Sequence, residues 1–278
     1  MTFDLQTLVR PNIAALTPYS SARDEFSGTA QVYLDANENS LGSPLKKWFH
    51  RYPDPQQKAV KEKLGAIKSV DPSNLLLGNG SDECIDILYR CFCEPGKDNV
   101  VICPPTYGMY EVSADINNIE IRKAMLLDDF QLNLAHIEQL VDANTKIIWL
   151  CSPNNPTGNS LLRGDIEYVL NNFNGLVVVD EAYINFSKQK SWIQDLQDYP
   201  NLVILQTMSK AWGLAGLRLG ITIASKEIIS IMNKVKPPYN ISQATQDWML
   251  QALDEVGMVN DMIREIVAMR DALIPVFE

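Results

Sequence analysis

The chain has 278 residues, 46% of them hydrophobic and 21% charged, with a formal net charge of −10. That is the balance of a globular protein with room for one large domain, or one domain plus a smaller one. The acidic excess argues against a nucleic-acid partner or an anionic membrane surface, so an anionic ligand would need a few locally placed cations.

The N-terminus "MTFDLQTLVRPN" lacks the basic and apolar regions of a secretory signal, and no apolar run reaches membrane-spanning length. A cytoplasmic location is therefore expected. Residues 1–45 are turn-rich, with Pro11, Pro18, Gly28, Gly42 and Pro44. From there on, apolar β-rich runs alternate with helical patterns.

The run Leu75-Leu76-Leu77 is followed by "GNGSDE" and a helical pattern. This places Ser81 and Asp82 at a helix N-terminus with free N–H groups, an anion site by geometry. The stretch is neither GxGxxG nor a P-loop, and a plain N-cap explains it equally well. Runs at 100–103, 147–151, 177–179 and 202–205 read as strands buried on both faces, with helices at 134–141 and 165–171 between them. Such alternation predicts an α/β fold, a mostly parallel sheet flanked by helices. Beyond Pro237-Pro238 the chain turns largely helical, with a long amphipathic segment at 256–274. Residues 46–244 are expected to form the large domain. Residues 1–45 and 245–278 are expected to form an N-terminal arm and a smaller, incomplete domain.

The two histidines, His50 and His136, have no triad or metal setting. Among the five cysteines, Cys91-Phe92-Cys93 lacks zinc-ligand spacing, so buried reduced thiols are expected and no metal. Acid–base chemistry falls to other residues, and sheets of this kind place them after the strand ends. After 147–151 comes "SPNNPTG". After 177–179 comes "DEAY", where Asp180 is half-buried and needs a cationic or protonated partner, or caps the next helix. After 202–205 comes "TMSKAWGLAGLR". A desolvated lysine there is an amine nucleophile for carbonyl chemistry, and Arg218 can grip a phosphate through its planar fork. A snorkelling lysine and a structural arginine are the ordinary alternatives. Taken together, an anion nest, an asparagine, an aspartate with a tyrosine, and a lysine with an arginine are the parts that hold pyridoxal phosphate.

"SPNNPTG", "VVVDEAY" and "TMSKAWGLAGLR" resemble the fold type I pyridoxal-phosphate aminotransferases. "LTPYSSARDE", "LDANENS", "RYPDPQ", "GNGSDECID" and "CPPTYGMY" narrow the resemblance to the histidinol-phosphate aminotransferase family along nearly the whole chain. The resemblance implies amino transfer between L-glutamate and imidazole acetol phosphate, giving L-histidinol phosphate and 2-oxoglutarate in histidine biosynthesis. It implies Lys210 as the Schiff-base lysine and proton shuttle, Asp180 as partner of the pyridine nitrogen, and Asn155 and Tyr183 as partners of the ring oxygen. Tyr107 would stack on the ring. Ser81, Asp82, Thr207, Ser209 and Arg218 would surround the cofactor phosphate, with Tyr52 reaching it from the second subunit of a homodimer. Tyr19 and Asn37 match positions near the substrate. Tyr52, Tyr107 and Asn37 also read as packing or turn residues. The chain stops at "LIPVFE", where family members continue, so it resembles a member lacking its C-terminal segment. Other fold type I enzymes, such as an aromatic aminotransferase or a threonine-phosphate decarboxylase, are the neighbouring readings. A truncated, non-catalytic cofactor-binding protein is the reading from another class.

Overall fold

A computed structural model of the chain describes residues 3–19, 32, 35–47 and 49–277. In chain order its elements are α1 (Leu5–Leu8), α2 (Pro11–Ala14), α3 (Lys58–Lys68), β1 (Leu75–Asn79), α4 (Ser81–Phe92), β2 (Asn99–Ile102), α5 (Met109–Ile116) and β3 (Glu120–Lys123). There follow α6 (Leu134–Leu140), β4 (Thr145–Cys151), α7 (Arg163–Asn172), β5 (Leu176–Asp180), β6 (Leu202–Thr207), β7 (Leu219–Ala224), α8 (Lys226–Val235), α9 (Gln243–Ala252) and α10 (Val256–Phe277).

The strands form one sheet in the order β1-β7-β6-β5-β4-β2-β3. Strands β2 to β6 pair in parallel, as the alternating pattern predicts. Strand β7 runs antiparallel to both of its neighbours, β6 and β1, so β1 points the same way as the parallel set. Six carboxyl ends therefore face one edge of the sheet, and the single returning strand starts at that edge.

The continuous apolar strands are explained by two cores, one on each face. Alternate residues of one strand go to opposite cores: Ile148, Leu150, Val177 and Val179 to one, and Ile147, Trp149, Leu176 and Val178 to the other. Since strand side chains alternate with period two, a strand covered on both faces must be apolar throughout. The second core takes α1, α2, α4, α5 and α8 through residues such as Leu8, Ile13, Ile85, Leu88, Tyr110 and Met232. The first takes α3, α6, α7, α9 and the start of α10 through Leu64, Ile137, Ile166, Met249 and Val259. All five cysteines are buried and free.

Helix α4 is pinned closely to the sheet. The Gly80 N–H donates to the Arg218 carbonyl at 2.9 Å, and Gly80 holds a φ of +79°, where glycine is free of the Cβ clash. Facing it across β1 and β7 is Gly220, whose hypothetical Cβ would overlap the backbone of Gly80 and Ser81. The start of α4 can approach β7 only because both glycines lack side chains.

Two details differ from the sequence expectation. Helix α10 continues past Pro275 to Phe277; the proline removes one donor near an exposed end, where the lost bond costs least. The edge strand β3 and the returning strand β7 have no counterpart among the expected strands. The charged sequence Glu120-Ile121-Arg122-Lys123 suits a solvent-facing edge, and β7 follows directly on the glycine-rich stretch. Among the described residues no helix is long and apolar enough to cross a membrane.

Gly220→Ala should destabilise the protein by roughly 1–3 kcal/mol, because the added methyl meets backbone and cannot be relieved by a rotamer change. Chemical denaturation of the purified variant checks this, and an unchanged midpoint would show that the α4 start is not tightly held.

Candidate active site

The cavity at the carboxyl ends of the strands is about 140 Å³ and is lined by Ser81, Asp82, Tyr107, Asn155, Asp180, Tyr183, Thr207, Ser209, Lys210 and Arg218. These ten positions come from five separate segments of sequence. Cys151, Ala182 and Ala215 complete the wall. In the sequence these three carry no signal of a site: two are alanines, and Cys151 reads as a buried thiol.

Asp180 ends β5 and is buried. Its Oδ1 accepts from the Ala182 N–H at 3.0 Å and its Oδ2 from the Tyr110 hydroxyl at 2.6 Å. Burial pushes its carboxyl up from the ordinary value, against the downward pull of those two hydrogen bonds; the nearby Asp82 also pushes it up and Lys210 pulls it down. The next residue, Glu181, is also buried but turns elsewhere. It accepts from Ser191 Oγ at 2.6 Å, the Trp192 N–H at 2.7 Å and Gln206 Nε2 at 2.8 Å. Glu181 thus fixes the loop after β5, and of this pair only Asp180 presents its carboxylate to the cavity.

The Asn154-Asn155 pair divides in the same way. Asn154 is buried and ties its loop down, donating to the Pro105 carbonyl at 2.8 Å and to Thr157 Oγ1 at 2.7 Å. The Asn155 side chain, also on the cavity wall, makes no hydrogen bond among the described residues, and neither does the Tyr183 hydroxyl. Lys210 lines the same cavity. Its amine lies 5.5 Å from the centre of the Tyr183 ring and has no hydrogen-bond or ion-pair partner among the described residues. Lys210 is exposed, although the six strand residues before it and the two residues after it are buried. Lys210 thus presents an uncommitted amine to the cavity.

An anion cradle forms the far wall. Ser81 and Asp82 occupy the first turn of α4, where N–H groups have no carbonyl partner within the helix. Thr207 closes β6, and its hydroxyl accepts from the Ser209 N–H at 3.1 Å while lying 3.0 Å from Ser209 Oγ. Arg218 is a non-glycine residue in the left-handed region, with a φ of +53°, immediately before β7. That turn brings its guanidinium over Gly80, at the N-terminus of α4. Its contacts are loose: Nη2 lies 3.4 Å from Asp82 Oδ2, and Nη1 lies 3.4 Å from the Ala215 carbonyl. The Asp82 carboxylate also accepts from the Tyr107 hydroxyl at 3.0 Å. The side chain of Asp82 therefore serves as a tether, and only its N–H is suited to an anion.

Three expected residues lie elsewhere. Tyr19 lines a different cavity with Lys58, Lys61 and Lys226. Asn37 and Tyr52 line a third with Tyr239, on which the Tyr52 ring stacks at 4.5 Å. A larger cavity of about 690 Å³ adjoins the first through Asn155 and Tyr183 and is bounded by Phe186, Ile266 and Arg270. Arg270 already donates to the Phe186 carbonyl at 3.0 Å and pairs with Asp271.

The family described as aminotransferase class I and II matches residues 28–277. A histidinol-phosphate aminotransferase from Christiangramia forsetii is 56% identical over 266 residues, spanning 95% of this chain and 75% of that relative. One from Cytophaga hutchinsonii is 52% identical over 273 residues, 98% of this chain and 78% of the relative. Among solved structures, histidinol-phosphate aminotransferase from Sinorhizobium meliloti in complex with pyridoxal-5'-phosphate matches with a TM-score of 0.73 at 24% identity. That match covers 85% of this chain and 68% of the other, and at such an identity it speaks for the fold. With a family match over residues 28–277 and relatives at 56% and 52% identity, the chain belongs to the class I and II aminotransferases.

Proposed function

We propose that this chain transfers an amino group between L-glutamate and imidazole acetol phosphate, giving L-histidinol phosphate and 2-oxoglutarate, with pyridoxal phosphate held in the Lys210 cavity. The observation that carries this reading is the uncommitted Lys210 amine, sharing one cavity with a buried carboxylate and an anion cradle. The choice of substrate rests on relatives of that name at 56% and 52% identity.

The cavity fits the cofactor on three physical counts. A phosphate would meet the free N–H groups of the α4 start, the Thr207 and Ser209 hydroxyls and the loosely engaged Arg218 fork. A protonated ring nitrogen supplies the cation that the buried Asp180 lacks. Asn155 and Tyr183 have free polar groups for a ring oxygen. When bound, the cofactor supplies an electron sink for the bond broken at the substrate's Cα. The chain's own residues do the rest. Lys210 Nζ would take the proton from Cα of the amino donor as general base and, in the reverse half-reaction, deliver one to Cα of the keto acceptor as general acid. Asp180 keeps a negative charge beside the ring nitrogen, while Asn155 and Tyr183 fix the orientation of the ring. Tyr107, tethered through Asp82, covers one side.

In this reading Tyr52 serves the cavity of a second copy in a homodimer, because in its own chain it lines a separate cavity and is exposed. Tyr19 and Asn37 are assigned to the substrate side. Residues 46–244 make up the cofactor domain and 1–45 with 245–278 the arm and part of a smaller domain. The enzyme is assigned to the cytoplasm, where the reaction serves histidine biosynthesis.

A coupled assay for L-glutamate formation from histidinol phosphate and 2-oxoglutarate tests the substrate assignment. Turnover with histidinol phosphate well above that with phenylalanine is expected, and the reverse order would move the chain to the aromatic aminotransferases. Carbon dioxide release from threonine phosphate would instead identify a decarboxylase. Lys210→Ala should lower turnover by at least about a thousandfold with an unchanged circular dichroism spectrum. Retained turnover would refute the role of the amine. Arg218→Ala should weaken pyridoxal phosphate binding by about ten- to a hundredfold, the size of a charge-assisted hydrogen bond. Equilibrium dialysis reads this directly, and undiminished affinity would remove Arg218 from the cradle.

A further inference from the structure

Asp180 is reached by one side chain that its role as a cofactor ligand does not explain. Tyr110, in the first turn of α5, is fully buried and directs its hydroxyl at Asp180 Oδ2, 2.6 Å away. Its ring is fixed on two sides: stacked on Trp149 at 4.9 Å and 15°, and met edge-on by Tyr107 at 5.6 Å and 83°. A phenol so clamped cannot follow the carboxylate if Asp180 rotates, so the geometry of the pair is set by the tyrosine.

The surroundings leave the hydroxyl a single role. Burial, and next the charge of Asp180, raise the Tyr110 hydroxyl well above its ordinary value, so it stays protonated and acts as donor. The groups facing Asp180 from the other elements are Asp82 and Cys84 from α4, Lys210 from the loop after β6, Cys151 at the end of β4, and Tyr107 ahead of α5. Asp82 among them opposes a negative charge on Asp180, and the exposed lysine contributes least to sustaining it. The donors that stabilise the carboxylate at contact distance are the Ala182 N–H and the Tyr110 hydroxyl, and only the latter is a side chain.

We propose that Tyr110 is a positioning residue for the ring nitrogen of the cofactor: its clamped hydroxyl holds the Asp180 carboxylate charged and in one orientation, ready to pair with a protonated pyridine. This rests on the reading of the cavity as a pyridoxal phosphate site. A buried tyrosine that merely fills the second core would matter equally to any ligand of the cavity. A positioning tyrosine matters only to a ligand with a basic ring nitrogen, and only when residue 180 is a carboxylate.

The test is a double-mutant cycle over Tyr110→Phe and Asp180→Asn, reading the affinities of pyridoxal phosphate and of its carbocyclic analogue, which has C–H in place of the ring nitrogen. Tyr110→Phe should weaken pyridoxal phosphate by about tenfold and leave the analogue within about twofold. In the Asp180→Asn background the same change should alter neither by more than about twofold. Equal losses for both ligands, or an undiminished loss in the Asp180→Asn background, would overturn the proposal. A Tyr110→Phe chain that fails to fold in both backgrounds would overturn it too, by assigning the hydroxyl to the core. One that folds only together with Asp180→Asn would support it, since the defect then lies in an under-solvated carboxylate. Failure of the unaltered chain to bind pyridoxal phosphate while binding the analogue, or to bind either, would sink the cofactor reading itself.

Discussion

A carboxylate at the end of a central, doubly covered strand is costly unless donors and a cation meet it, by several kcal/mol for the bare charge. Asp180 stands in that position, and much of the surrounding structure follows from it. Tyr110 and the Ala182 N–H meet its two oxygens from the protein side. The cavity side is left for a ligand cation. Glu181, one residue on, would double the problem if it faced the same way. It turns instead into its own set of three donors and so fixes the loop that carries Tyr183.

A second constraint concerns the opposite charge. An anion cradle needs the start of α4 in one place with the end of β6 and an arginine, although α4 lies far from both in sequence. The returning strand β7 achieves this by running between β1 and β6 in the opposite sense, so that its first residues lie beside the last residues of both. Arg218, just ahead of β7, is delivered to the N-terminus of α4 by a left-handed turn, and Gly80 and Gly220 remove the side chains that would hold these segments apart. The two cations of "TMSKAWGLAGLR" are both exposed while the strands on either side are buried. They are surface groups of a cavity, which is how isolated charges come to sit in an apolar stretch.

The parallel core of the fold was legible because strands covered on both faces leave unbroken apolar runs, as in Leu176–Asp180 and Leu202–Thr207. Strand β3 was not, since its edge position permits charges, and β7 was not, since Leu219-Gly220 reads as a continuation of the cofactor loop. The connection from β6 to β7 is too short for a parallel crossover, and that was the available clue to its direction. Ten site residues were legible because each follows directly on a buried strand or is fixed by a family motif. Tyr110 was not: it is 70 positions from Asp180, and an aromatic three residues after Tyr107 reads as ordinary helix packing. Tyr19, Asn37 and Tyr52 had only the family resemblance behind them, and they line other cavities of this chain.

Lys210, alone among the lysines, is proposed as the amine that joins the cofactor carbonyl. Borohydride reduction of the protein with pyridoxal phosphate, followed by peptide mapping by mass spectrometry, tests it most directly. One reduced adduct is expected at stoichiometric ligand, on the peptide containing Lys210. Adduct spread over other lysines, with the Lys210 peptide unmodified, would contradict it.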